Sequence, residues 1–289
     1  MISSESGRLL ARKRPSDFSR LPNLGPNMNL LLTVMLLCLA ADPNVEVVAH
    51  RGESFDAPEN TLAAFQLAWS RKVTTIELDV HLTKDGQLIV CHDPNTKKTT
   101  GSDKAIKNST LAELRSLDAG SWKGKRFAGE KLPTLAEALA TIPGHGRCFI
   151  ELKSGAEAVP ALVRVIEECG KRPAQLAIIS FNAETIAEAK RKLPQHPVYW
   201  IVSVKKDKAT GLLAPSVEEL ISKAKSIKAD GLDLSVPPTP DFVKPIKSAG
   251  LKLFIWTVND VDVARKFVEL GVDGITTDRA AWLKEQLAP

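Results

Sequence analysis

TTIELDVHL, Thr74 to Leu82, alternates strictly between apolar and polar side chains from Ile76 onward. A period of two belongs to a β-strand whose two faces meet different surroundings. Ile76, Leu78 and Val80 share one face, and Glu77, Asp79 and His81 share the other. If the apolar face packs against helices, both carboxylates point into the space on the far side of the sheet. The fold class follows from how often such a strand recurs and what lies between the copies.

Working outward, similar short runs recur along the rest of the chain. VEVVA (45–49) precedes the quoted stretch, and RCFIEL (147–152), LAIIS (176–180) and VYWIVS (198–203) follow it. DGLDLSV (230–236), LKLFIWTV (251–258) and VDGITT (272–277) complete a set of eight. Amphipathic stretches fill the intervals: TLAAFQLAW, AVPALVRVIEE, AETIAEAKRKL, VEELISKAKSI, DVDVARKFVEL and AAWLKEQL. Helix punctuation accompanies them, with Thr61 and Asp260 as starts and Gly170 and Gly250 as ends. Eight strands alternating with helices over this length predict a (β/α)8 TIM barrel, with a doubly wound open sheet as the alternative. The interval 82–146 breaks the rhythm. QLIVCHD (87–93) reads as an extra strand, and TLAELRSL and TLAEALATI read as short helices. We expect a small insertion, about residues 94–132, after the second strand.

With 289 residues, 44% apolar and 25% charged, the chain has the composition of an ordinary globular protein with a substantial core. Residues 1–41 differ from the rest. Arg8, Arg12, Lys13, Arg14 and Arg20 precede an apolar run, Leu30 to Ala41, that is too short for a membrane span of about 20 residues. A basic region, a short apolar region and small residues predict an export signal around residues 28–41, cleaved after Ala40 or Ala41. An N-terminal membrane tether is the alternative. Residues 1–40 carry five basic and two acidic side chains, so the net charge falls from +5 to about +2 without them. The expected mature part, 42–289, therefore lacks the basic stripe of a nucleic-acid binder. Its three cysteines, Cys91, Cys148 and Cys169, have neither disulfide-framework nor zinc spacing. Nothing in the sequence specifies an oligomer, and no stable membrane insertion of the mature part is expected.

The alternation that turns Glu77 and Asp79 inward also turns Glu151 and Lys153 inward in CFIELK. Three carboxylates then converge near the C-terminal mouth, where barrel enzymes keep their chemistry. Close like charges disfavour one another's ionisation, so they require a partner. Arg51 and Lys153 can supply an ion-pair network, or a hard divalent cation can sit among the oxygens, Mg2+ or Ca2+ rather than zinc. His50 ends the first strand and His92 ends the accessory one, both leading to the same rim. A histidine pair suits acid–base chemistry near neutral pH, and a divalent ion flanked by Arg and Lys suits an anionic phosphate. The residues point to metal-assisted cleavage of a phosphoester.

Taken in order, HRG…PENT, ELDV…DG…VCHD, GSWKGKRFAGEKLPTLAEAL and IELK closely resemble the glycerophosphodiester phosphodiesterase family. SFN (180–182), WTVN (256–259) and DGITTD (273–278) continue the resemblance, which spans Val45 to about Leu283. It implies a (β/α)8 barrel hydrolysing a small-molecule glycerophosphodiester to glycerol 3-phosphate and an alcohol. It also implies Glu77, Asp79 and Glu151 as ligands of one divalent cation, and His50 and His92 as the acid–base pair; the sequence does not divide the two roles, and we favour His50 as base and His92 as acid. Arg51 and Lys153 match phosphate-holding positions, and Glu59 is expected to bond the His-Arg turn or to mark the helix start. Trp256 and Phe181 are expected as an aromatic wall beside the glycerol or head group, against a plain core role for Trp256. A lysophospholipase D-like or phosphatidylinositol-cleaving enzyme on the same barrel is the nearest alternative. It would require an apolar rim, and residues 94–130 show only Ile106, Leu111, Leu114, Leu117, Trp122 and Phe127, of which Leu111 to Leu117 have the spacing of a core-facing helix. A non-catalytic barrel binding phosphate compounds is more remote, since neither histidine nor any ligand is missing.

Overall fold

The computed structural model describes residues 45–237 and 239–288. The basic leader, the apolar run and its cleavage point lie outside the described residues. Among the described residues, eleven strands occur in chain order. They are β1 (Glu46–Ala49), β2 (Thr75–Leu82), β3 (Leu88–Val90), β4 (Arg147–Leu152), β5 (Leu176–Ser180) and β6 (Val198–Ser203), then β7 (Lys205–Lys206), β8 (Leu213–Ala214), β9 (Gly231–Ser235), β10 (Lys252–Ile255) and β11 (Gly274–Thr277). Eight of them, β1, β2, β4, β5, β6, β9, β10 and β11, pair in parallel in that order. The sheet closes because β1 pairs with both β2 and β11. Closure excludes the open-sheet alternative, and the chain is a (β/α)8 barrel.

Alternation decides what each face meets. Ile76, Leu78 and Val80 join Cys148, Ile150 and Leu152 in the main core between barrel and helices. The opposite faces fill the barrel itself. Phe149, Tyr199 and Phe254 cluster there with ring centroids 4.8 to 5.6 Å apart. Phe149 and Glu151 occupy successive inward positions of β4, so this aromatic layer lies directly beneath the acidic one. The interior is thus plugged below, and the polar side chains above can open only toward the C-terminal mouth.

β3 lies antiparallel on β2, with Val80 opposite Val90 and His81 opposite Ile89. This is the expected accessory strand, and it delivers His92 to the mouth. Ile89, Cys91, Ile106, Leu114, Ala119 and Leu132 form a small separate core beneath the insertion. Ile106, Leu111 and Leu114 are consumed by this packing, whereas Trp122 stays exposed. Asp118 ties its outer loop, accepting from the backbone N–H groups of Gly120, Ser121 and Gly129 at 2.8–2.9 Å.

Thr61 and Asp260 cap their helices as expected, accepting from Ala64 N and from Asp262 N and Val263 N respectively. Two features were not anticipated. Pro240–Ser248 is helical although PDFVKPIKS carries two prolines. Pro240 sits at the helix start, where no N–H is needed, and Pro245 lies inside the helix, where it forfeits one backbone bond. β7 and β8 form a short hairpin after β6, in a lysine-rich segment whose four paired residues include no β-branched side chain. β10 also ends earlier than its apolar run, although Trp256 N and Val258 N still donate to the carbonyls of Leu234 and Thr276 on the neighbouring strands. Among the described residues, no helix is long and apolar enough to cross a membrane. Cys91, Cys148 and Cys169 are all free thiols.

Candidate active site

The first corner of the site is the turn leaving β1. Arg51 and Gly52 both adopt left-handed backbone, with φ of 56° and 81°. A side chain at Gly52 would meet the backbone of Ala64 at 2.7 Å, so only glycine lets the turn lie this close to the following helix. The Arg51 N–H donates to Glu77 Oε2 at 2.9 Å, and its guanidinium reaches Glu59 at 2.8 Å and Asp79 at 3.2 Å. Pro-Glu-Asn-Thr works residue by residue as a clamp. Glu59 holds Arg51 and also receives Lys98 at 2.9 Å. Asn60 donates to Asp79 Oδ2 at 2.8 Å and accepts from the Asp79 N–H. Thr61 caps the helix. Glu59 itself lies two residues ahead of the N-cap Thr61, outside the helix's first turn.

Glu77, Asp79 and Glu151 stand together as three buried carboxylates whose oxygens lie within 4.8 Å of one another. Lys153 Nζ is 2.8 Å from Glu151 and 3.5 Å from Asp79. Burial raises Glu77 well above the usual carboxylate range, and the charges of Asp79 and Glu151 add to the effect. Burial and Asp79 likewise push Glu151 up to about 7, against the opposing pull of Lys153. Burial would also raise Asp79, but Arg51 and Lys153 outweigh it and hold Asp79 low. Two fixed cations thus do not neutralise three acids. Glu77 Oε1 and Asp79 Oδ1 are buried without a hydrogen-bond partner. Unpartnered oxygens in an all-carboxylate set fit a hard divalent cation, so the ion pairs and the cation complement each other.

Each rim histidine has a carboxylate on Nδ1. His50 Nδ1 lies 2.6 Å from Asp278, and His92 Nδ1 lies 2.7 Å from Asp93. Asp278 is fixed in turn by Asn259, whose amide donates at 2.7 Å. Despite burial, the bond to His50 and that from Asn259 hold Asp278 down at about 2. Burial lowers His92 as well, with Arg51 and Lys153 opposing its charged form and Asp79 and Asp93 favouring it. With Nδ1 engaged, Nε2 of each ring is the nitrogen left for the cavity that both line.

That cavity has a volume of about 200 Å3. Arg51, Glu77, Glu151 and Lys153 bound its charged side, and Ile179, Phe181, Ile201 and Trp256 bound its apolar side. Phe181 and Trp256 meet edge to face, with ring centroids 5.6 Å apart. The Trp256 indole donates to the Asp233 carbonyl at 3.1 Å, and its ring packs on the inner aromatic cluster while lining the cavity. All ten side chains singled out from the sequence lie at or beside this one mouth. Reading the sequence missed Asp278, Asn259, Asn60 and Lys98, although the first three sit inside the segments quoted above. It also missed Asp233 and Thr276, which line the cavity on inward faces of β9 and β11. For Asp233 the signal was present, because GLDLS alternates as IELDV does.

Comparison with known proteins gives concordant results. The model of the Glycerophosphoryl diester phosphodiesterase family matches residues 50–281. The glycerophosphodiester phosphodiesterase of Caldanaerobacter subterraneus subsp. tengcongensis is 36% identical over 237 residues, covering 80% of this chain and 93% of that one. A Bacillus subtilis glycerophosphodiester phosphodiesterase is 32% identical over 256 residues, covering 83% and 85%. Among solved structures, a phosphodiesterase from Oleispira antarctica in complex with its product sn-glycerol 3-phosphate superposes with a TM-score of 0.75. It is 32% identical, with 84% of this chain and 96% of that one covered.

Proposed function

The chain belongs to the glycerophosphoryl diester phosphodiesterase family of phosphoric diester hydrolases, and on that premise we propose that it cleaves glycerophosphodiesters to glycerol 3-phosphate and an alcohol, with His50 and His92 as the proton-transfer pair. One observation carries this reading: two carboxylate-oriented histidines line the same 200 Å3 cavity as Glu77 and Glu151 of a buried acidic triad.

In this reading Glu77, Asp79 and Glu151 hold one divalent cation, Mg2+ or Ca2+, which supplies positive charge to the phosphate oxygens when bound. Arg51, pinned by Glu59, and Lys153, pinned by Glu151, add fixed positive charge that needs no reorganisation as the transition state forms. One histidine Nε2 takes the proton of the nucleophile, a water or the neighbouring glycerol hydroxyl. The other delivers a proton to the alcohol oxygen as its bond to phosphorus breaks. The hydroxyl route passes through a cyclic phosphate that water then opens, and it gains from having nucleophile and phosphorus in one molecule. Asp278 and Asp93 hold the two rings in one orientation and fix their tautomers. Phe181 and Trp256 shelter the organic part of the substrate.

The test is a panel of glycerophosphodiesters and lysolipids offered to the purified protein with each metal. Glycerol 3-phosphate and free alcohol are both measured. Release of glycerol 3-phosphate from deacylated diesters, silenced by chelator and restored by Mg2+ or Ca2+, is the expected result. Faster cleavage of lysolipid than of every deacylated diester would replace the substrate assignment. We also read residues 28–41 as an export signal and 42–289 as the mature enzyme, with a membrane tether as the alternative. N-terminal sequencing of the protein recovered outside the cytoplasm decides between them.

A further inference from the structure

Among the described residues, four large apolar side chains stand substantially in water: Phe55, Trp122, Phe181 and Leu212, between 42% and 69% exposed. All four lie at one end of the barrel. Phe55 is on the turn after β1, Trp122 on the insertion after β3, Phe181 directly after β5 and Leu212 on the β7–β8 hairpin after β6. β1 and β6 are the first and fifth of the eight parallel strands, so their loops face each other across the mouth. Lys123 Nζ donates to the Ser54 carbonyl at 2.7 Å, which joins the Trp122 segment to the Phe55 turn. The mouth thus carries an apolar anchor on either side, with Phe181 on the rim between them.

Both anchors are flanked by cations. Residues 120–128 hold Lys123, Lys125 and Arg126 and no acid, and residues 205–214 hold Lys205, Lys206 and Lys208 against Asp207 alone. The Arg279 guanidinium also lies 4.4 Å from the centre of the Phe55 ring. Two nearby acids are already engaged, since Asp56 pairs with Arg71 and Asp118 accepts from three backbone amides. We propose that the mouth docks peripherally on an anionic lipid surface, with Phe55, Trp122 and Leu212 entering the headgroup layer and the flanking cations meeting its negative charge. Exposed apolar tips set among lysines partition into that layer, and each lysine near an anionic surface strengthens binding by about fivefold. A protein partner fits less well, because the core of a protein interface is a continuous apolar patch and these anchors are parted by the mouth itself. A fluid lipid surface needs no matching shape. The contact leaves the barrel outside the bilayer and opens the cavity onto the headgroups. It does not depend on the reaction proposed above, since binding is read without turnover.

The test is co-sedimentation of the metal-loaded protein with vesicles of equal parts phosphatidylglycerol and phosphatidylcholine, and with vesicles of phosphatidylcholine alone. Wild type is expected to bind the mixed vesicles, to lose that binding in high salt, and to stay in solution with phosphatidylcholine. Removing two charges in Lys205→Ser/Lys206→Ser should weaken binding about tenfold or more. Leu212→Ser and Trp122→Ala should each weaken it about threefold or more. Lys223 and Lys225 are exposed near the end of the helix that leads into β9, toward the other end of the barrel. Lys223→Ser/Lys225→Ser removes the same charge there and should leave binding unchanged. Leu212 and the two hairpin lysines lie outside the cavity lining, so turnover of a soluble glycerophosphodiester should match wild type and report an intact fold. The proposal is overturned by absence of binding, by equal binding to both kinds of vesicle, or by equal losses in the two lysine pairs. Affinity unchanged in both Leu212→Ser and Trp122→Ala overturns it too. So does a concentration-dependent dimer, seen by sedimentation velocity, that Leu212→Ser abolishes, since the face would then belong to a second copy of the chain.

Discussion

Asp278 and His50 are 228 positions apart in sequence, and their side chains meet at 2.6 Å across the seam where the barrel's last strand pairs with its first. The carboxylate fixes the imidazole through Nδ1, and Asn259 fixes the carboxylate. An amide at position 278 no longer accepts from Nδ1–H with the same strength and favours the wrong tautomer. Asp278→Asn is expected to lower kcat by about 10²–10⁴-fold with a small change in KM. Steady-state kinetics on a glycerophosphodiester check this; a loss under threefold would remove Asp278 from the orientation of His50.

The acidic triad gives opposite signs for activity and for cation-free stability. Glu77 is raised by burial and by its two acidic neighbours, so its charged form strains the cation-free site. Glu77→Gln should lower activity by at least about 10²-fold through loss of a ligand. In chelator the same variant should melt at or above the wild-type temperature. The rise in Tm that Mg2+ or Ca2+ gives wild type should shrink or vanish in the variant. Thermal scans with and without the ion read both effects, and an undiminished rise would exclude Glu77 as a ligand.

His196 is a buried histidine away from the mouth, with neither ring nitrogen hydrogen-bonded. Burial lowers its pKa, and the charge of Lys190 lowers it further. The unfolded imidazole takes a proton near its ordinary value of about 6.5, while the folded one resists. Its contribution to stability is therefore fully present above that value and is lost as pH falls through it toward the lower folded value. His196→Leu should reduce the drop in Tm between pH 7 and pH 5. Parallel slopes for variant and wild type would show that the ring is not a source of acid sensitivity.

Gly52 carries both a positive φ and a steric demand, so Gly52→Ala meets two penalties at once. The strain and the overlap with Ala64 together should cost about 2–5 kcal/mol. For a barrel of this size that lowers Tm by roughly 5–15 °C, readable by circular dichroism. Activity should fall as well, because Arg51 and its bond to Glu77 sit on the displaced turn.

Much of the site was legible because its chemistry lies on inward faces of regular strands. The alternation in TIELDV and FIEL assigns Glu77, Asp79 and Glu151 their side of the sheet with no knowledge of tertiary contacts, and GLDLS carried the same message for Asp233. The pairings were less legible. Asp278 meets His50, and Lys98 meets Glu59, only because the sheet closes and the insertion folds back, and neither is a local property. The Pro240–Ser248 helix was hidden by prolines whose cost depends on position within the helix. The β7–β8 hairpin has no strand composition at all, and a turn with backbone pairing suffices to form it.

Closure of the barrel also sets a time order on assembly. β11 is the last strand of the barrel, and it brings Asp278 and completes the pairing of β1. A growing chain that has not yet released β11 holds His50, the acidic triad and His92 on its emerged part but lacks the carboxylate that orients one histidine. Nascent polypeptide should therefore stay inert toward phosphodiesters until the final strand leaves the ribosome, and a truncation just before Gly274 should yield no partly active product.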